Sequence, residues 1–119
     1  MLVHGCRQVA ELAYGERIAE ELPRHELVGE MVREQLIYYP TVTREPFRNR
    51  GRITDLITSG QLFRDVGLPS LDAEQDRAML CGSPQMLGDM RQVLEGLGFE
   101  EGSGSNPGTF VVEKAFVER

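Results

Sequence analysis

Tryptophan is absent from this 119-residue chain, cysteine and histidine occur twice each, and aromatic residues make up only 7%. Cys6 and Cys81 are too few and too far apart for the disulfide framework of a small secreted domain. Neither belongs to a Cys-x-x-Cys pair, and His4 and His25 do not complete a zinc-ligand spacing, so no metal site is read. Both thiols read as reduced and the chain as cytoplasmic. No apolar run approaches the roughly 20 residues that cross a bilayer. Met1 leads straight into Leu2-Val3-His4-Gly5 instead of a basic segment and a signal-like apolar stretch, which argues against membrane insertion or secretion. Positive charge is also short: 13 Lys plus Arg against 19 Asp plus Glu leave a net charge of −6. That balance excludes a broad nucleic-acid face while permitting a local basic pocket. The GxGxxG and GxxxxGK phosphate-binding fingerprints are missing, and no repeat or heptad emerges to specify an array or a coiled-coil oligomer.

What is present is a 40% apolar chain of single-domain size in which short apolar runs alternate with helical patterns. Leu2-Val3 reads as the end of a strand entering a turn at Gly5. Residues 7–22 carry Val9, Leu12, Ala13, Ala19 and Leu22 mostly on one side and predict a helix, despite Gly15, stopped by Pro23. Residues 26–35 predict a second helix despite Gly29. Residues 36–42 predict a strand, with Pro40 placing it at an edge or in irregular pairing. Short helices are predicted at 53–58 and 61–65. Ala78-Met79-Leu80-Cys81 then reads as a strand running into a helix capped by Ser83, with Pro84 in its first turn. Met86, Leu87, Met90, Val93, Leu94 and Leu97 continue that helix. Residues 100–108 read as a polar loop and residues 109–116 as a last strand. Strands alternating with helices predict a parallel α/β layer.

Three groups of residues could carry chemistry. Arg7, Arg44 and Arg52 each follow a strand or loop that can open onto one crevice rim, where planar guanidinium groups hold a phosphate; solvated charges and ordinary ion pairs explain the same pattern. Gly82-Ser83-Pro84-Gln85 opens a helix, which suits either a phosphate-facing N-terminus or a purely structural cap. Cys81, at a strand end, reads either as a contact to an oxidisable ring or as core packing. Cys6 and His4 read mainly as packing. Asp72, Glu74 and Asp76 read as a solvated run. Phe116 fits a core or a stacking surface, and Glu118 fits proton chemistry or a solvated terminus.

Taken together, Leu2-Val3-His4-Gly5-Cys6-Arg7, Glu11-Leu12-Ala13-Tyr14, the stretch from Tyr38-Tyr39-Pro40-Thr41-Val42-Thr43-Arg44-Glu45-Pro46-Phe47 to Gly51-Arg52, Leu80-Cys81-Gly82-Ser83-Pro84-Gln85-Met86 and the ending Ala115–Arg119 resemble the carboxy-terminal NADP-binding part of bacterial ferredoxin/flavodoxin–NADP reductases. The resemblance covers nearly the whole chain. It implies an incomplete parallel Rossmann-like domain over residues 1–119, with a flavin-facing tail. It also implies hydride transfer between FAD and NADP(H), coupled to one-electron exchange with ferredoxin or flavodoxin. Arg44 and Arg52 match the residues that meet the adenosine 2′-phosphate and Arg7 a third nucleotide-facing arginine, flanked by Cys6 and Thr43. Ser83, Pro84, Gln85 and Asp89 match a second nucleotide-facing group. Cys81 matches the nicotinamide-side position, Ala115 and Phe116 a flavin-covering tail, and Glu118 a proton or electrostatic participant. The resemblance implies that the family's FAD-binding domain, the glycine-rich nucleotide-contacting segment expected just before the opening strand and a first strand inside the sheet have no counterpart here, so the activity implied is that of a longer polypeptide.

Overall fold

The computed structural model describes residues 1–12 and 15–113. The chain forms two compact units, residues 1–66 and 67–119, each built around a parallel two-stranded sheet. Ala115, Phe116 and Glu118 lie outside the described residues. Parallel neighbours cannot be joined by a tight turn and need a crossover, and both units supply one. In the first unit β1 (Leu2–Cys6) pairs with β2 (Tyr38–Val42) in the register Leu2↔Tyr38 to Cys6↔Val42. In the second, β3 (Ala78–Cys81) pairs with β4 (Phe110–Glu113), Ala78 opposite Phe110 and Cys81 opposite Glu113. The result is an α/β fold of the incomplete Rossmann-like type.

β1 runs on through Gly5, where a turn was expected. A Cβ at Gly5 would lie 3.1 Å from both Cγ1 and Cδ1 of Ile53, so glycine lets α2 (Ile53–Thr58) close onto the sheet. The crossover is also less regular than its apolar spacing predicts. In place of one helix over 7–22 there is a 3-10 turn at Val9–Glu11, a π-helical stretch at Arg17–Glu21 and a 3-10 turn at Leu22–Arg24. Leu12, at φ −72° and ψ 83°, leaves the helical region after Glu11 and breaks the run. The next helix, α1 (Gly29–Gln35), begins three residues later than its pattern suggests. His25 Nδ1 accepts the amides of Leu27 and Val28, holding that segment as a turn.

Pro40 sits inside β2 without costing the β1 ladder a donor. Residues two apart in a strand face the same side, and Val42 N–H points to Asn49 O, away from β1. Pro40 therefore turns its missing donor to that outer side, where its carbonyl accepts Asn49 Nδ2 at 2.8 Å. The edge character read from the sequence is local to this flank. Tyr39 and Val42 of β2, Leu56 of α2, and Leu62 and Phe63 of α3 (Gln61–Val66) are buried.

Tyr39 donates to Asp65 Oδ2 at 2.5 Å, and burial, then this bond and the neighbouring carboxylate, push the phenol up to about 12 from an ordinary 10. Because the folded chain holds the proton more tightly, the stability is fully present below pH 10. It is lost as pH rises from there through about 12. Tyr39→Phe is expected to flatten this alkaline loss in a urea-unfolding series against pH; an unchanged slope would reject the Tyr39–Asp65 account.

In the second unit Leu80 and Phe110 from the sheet, Leu87, Met90 and Leu94 from α4 (Pro84–Gly96), and Phe99 form the core. The acidic run closes a turn: Asp72 Oδ1 accepts Glu74 N–H and Asp76 Oδ2 accepts Asp72 N–H, which explains it without a site. Arg91 pairs with Glu101 at 2.6 Å, tying α4 to the loop before β4.

Candidate functional site

In the first unit the chemistry gathers at the carboxyl ends of the strands. Backbone pairing continues past β1 and β2, with Thr43 N–H on Cys6 O at 3.1 Å and Arg44 N–H on Arg7 O at 2.9 Å. Arg7 and Arg44 thus stand side by side. The segment before Arg52 is fixed to the other flank of β2: Gly51 N–H donates to Val42 O at 2.9 Å, and Thr41 Oγ1 donates to Gly51 O at 2.9 Å. Arg52 itself is extended and directly precedes α2. All three arginines are exposed.

Their electrostatic situations differ. Arg7 pairs with Glu11 at 3.2 Å, and Glu11 also accepts Gln8 N–H at 3.1 Å. Among the described residues, neither Arg44 nor Arg52 has an ion-pair partner. Glu45, next to Arg44, instead accepts Val9 N–H, which fastens the turn after β1 to the end of β2. Two guanidinium groups without a protein counter-ion, on backbone held by strand bonds, suit a compact dianion.

Cys6 is half-buried beside this rim. Its thiol donates to Glu11 O at 3.3 Å and lies 3.4 Å from His4 Nε2. Burial first, then the Glu11 carboxylate, push the thiol up, and Arg7 pulls it down. The net rise keeps sulfur protonated at neutral pH, which fits a flanking contact better than a nucleophile. Thr43 is half-buried one residue past β2.

The second unit builds its own polar group at the end of β3. Cys81 closes that strand and is exposed. Ser83, at φ −64° and ψ 158°, caps α4 by accepting Met86 N–H at 3.2 Å. Pro84 fills the first helical position, where its missing N–H costs nothing. Gln85 and Asp89 are both exposed and lie four residues apart, on one face of α4. The cap explains Ser83 and Pro84 structurally: Met86 N–H is taken by Ser83 Oγ and Leu87 N–H by Ser83 O, so of the first turn only Gln85 N–H is left for an acceptor group.

Arg50 escaped the sequence reading. It forms a parallel bridge with Val42, so the short segment around it extends the sheet beyond β2. The available signal was the alternation Arg48-Asn49-Arg50-Gly51-Arg52, which places arginine at every second position. Among the described residues, no group of three or more His, Cys, Asp or Glu side chains is arranged to hold a metal ion, and no helix is long and apolar enough to cross a membrane.

No model of a known protein family matches the chain. It is 54% identical over 120 residues to a ferredoxin–NADP reductase of Azotobacter vinelandii, covering 100% of this chain and 46% of that protein. A ferredoxin–NADP reductase of Pseudomonas aeruginosa is 53% identical, with coverage of 100% and 46%. A flavodoxin/ferredoxin–NADP reductase of Escherichia coli is 36% identical over 91 residues, 75% of this chain and 34% of that protein. The chain thus spans just under half the length of the first two relatives. In fold it is similar to the crystal structure of a ferredoxin NADP+ reductase from Neisseria gonorrhoeae with bound FAD and NADP. The TM-score is 0.79 at 24% identity, over 97% of this chain and 44% of that one.

Proposed function

The chain belongs to the ferredoxin/flavodoxin–NADP reductase family, as its carboxy-terminal NADP-binding region, and from that premise we propose that it is the NADP(H)-holding portion of such a reductase. The observation that carries the reading is the rim of Arg7, Arg44 and Arg52 in a protein of net charge −6. Arg44 and Arg52 meet the 2′-phosphate that distinguishes NADP(H) from NAD(H), and Arg7 assists after releasing Glu11. Thr43 and Cys6 line the same rim. In the second unit, family membership supports reading Ser83, Pro84, Gln85 and Asp89 as a second nucleotide-facing group and Cys81 as the nicotinamide-side position, without covalent attack. Ala115, Phe116 and Glu118 form the flavin-facing tail.

In the intact enzyme the flavin supplies the step that no side chain of this chain performs, exchanging a hydride with NADP(H) and single electrons with ferredoxin or flavodoxin. The residues on this chain bind and orient the nucleotide. An FAD-binding domain is a required partner, and the cytoplasm is the expected setting.

The test is a chimera in which this chain replaces the matching region of a full-length relative. The chimera is expected to bind FAD and to reduce ferredoxin or flavodoxin with NADPH, whereas the chain alone binds NADP+ and reduces neither. Equal activity of the two would overturn the division of labour. A chimera that binds NADP+ and FAD but transfers no electrons would favour the alternative, a noncatalytic NADP-binding or domain-pairing module.

A further inference from the structure

We propose that Arg50 is a fourth guanidinium of the first unit's anion-binding rim and contributes to its selectivity for a nucleotide bearing a 2′-phosphate. The proposal rests on the reading of that rim as a phosphate site. Its geometric basis is independent of the sequence resemblance. Residues 49–51 are clamped along β2 by four hydrogen bonds. Val42 N–H donates to Asn49 O at 3.3 Å and Gly51 N–H to Val42 O at 2.9 Å. Thr41 Oγ1 donates to Gly51 O at 2.9 Å and Asn49 Nδ2 to Pro40 O at 2.8 Å. Thr41 and Val42 are both fully buried, so the clamp is anchored in the buried part of the sheet.

The bridge places Arg50 level with Val42, one strand spacing of about 5 Å across, and Arg44 follows Val42 by two residues, about 6.5 Å along the strand direction. Long side chains from these positions reach a common anion at the strand ends. Away from the rim, Arg24 in the crossover also has no partner among the described residues, but most other guanidinium heads of the unit are engaged. Arg7 is paired with Glu11, Arg33 donates to Pro23 O, Arg64 to Ser59 O and Gln61, and Arg48 lies 5.0 Å from the Phe47 ring centroid. Arg50 is exposed and, among the described residues, has no side-chain hydrogen bond or ion pair. Arg44, Arg50 and Arg52 thus extend from neighbouring backbone positions, and among the described residues none has a paired carboxylate. A dianion would supply the missing counter-charge, and the clamped backbone limits the ordering cost of recruiting Arg50.

NADP+ and NAD+ are titrated calorimetrically into the 119-residue chain and into its Arg50→Gln, Arg48→Gln and Arg44→Ala variants. Arg50→Gln is expected to weaken NADP+ about fivefold and leave NAD+ unchanged, less than for the Arg44 or Arg52 contact because Arg50 joins the phosphate from the flank of the rim. Arg48→Gln removes the same charge two residues away and should change neither by more than about twofold. Arg50→Gln binding like the parent, or both glutamine variants losing equally, would overturn the role of Arg50 while a selective loss in Arg44→Ala upheld the phosphate site. A parent chain without preference for NADP+ would overturn the site itself and this proposal with it.

Discussion

Replacing Arg44 and Arg52 together by alanine is expected to weaken NADP+ binding about a hundredfold while NAD+ changes by less than about threefold, so that the preference for NADP+ nearly disappears. A charge-assisted contact from guanidinium to phosphate contributes about 1.5 kcal/mol where it is partly exposed, and each 1.4 kcal/mol is tenfold in affinity. Two such contacts give the stated factor. Both side chains are exposed and neither has an ion pair among the described residues, so their removal leaves no buried charge unpaired and the fold intact. An unchanged thermal midpoint would confirm that. The parent's preference should also fall as pH drops through about 6, where a phosphate monoester dianion takes up one proton and loses half its charge. It should fall again with added salt, which screens exposed charges. A double variant retaining the parent's NADP+ preference would refute the assignment, whatever its absolute affinity.

The fold was legible wherever local chemistry and tertiary packing agree. Ser83 and Pro84 announce α4 because the cap and first turn are built within four residues, and its long apolar face leaves one direction for burial. β1 was misread at Gly5 because the reason for that glycine, the close approach of Ile53, comes from a residue far along the chain. The crossover after β1 was misread for a related reason. Its 3.6-residue period is genuine, yet the backbone at Leu12 and the His25 contacts to Leu27 and Val28 divide it. At the candidate site, Arg7 and Arg44 stood out because each follows a strand-like apolar run, and Arg52 because it ends the loop that comes next. Arg50 did not, because nothing local signals that Asn49 and Gly51 bond to β2. The pairing of Arg7 with Glu11 was equally hidden, and it ranks Arg7 below the other two as a free anion ligand.

Gly108→Val is expected to abolish cooperative unfolding of the second unit, a far larger effect than its place in a polar loop suggests. Gly108 has φ +61°, and a Cβ there would lie 2.4 Å from Gly102 N and 2.6 Å from Glu100 O. Both neighbours are backbone, so neither can swing aside as a side chain would. The surrounding strand of bonds is also closed: Thr109 N–H donates to Glu100 O at 2.7 Å, Phe110 N–H to the same oxygen at 3.1 Å, and Gly102 N–H to Phe110 O at 2.8 Å. Relief of the clash requires breaking these contacts, and with them the seat of Phe110, which is 1% exposed at the centre of the unit's core. Loss of a buried aromatic alone costs about 3–5 kcal/mol, and a β-branched residue at positive φ adds about 1–3 kcal/mol. A small unit has little more stability than that to lose. Gly104→Ala is the matched control, with φ +46° and nothing within 4 Å of its Cβ; it should cost only about 1 kcal/mol. Amide exchange across β3, α4 and β4 should then collapse in Gly108→Val and persist in Gly104→Ala. Equal protection in the two would mean that the loop opens without disturbing Phe110, and that β4 is held by its pairing with β3 alone.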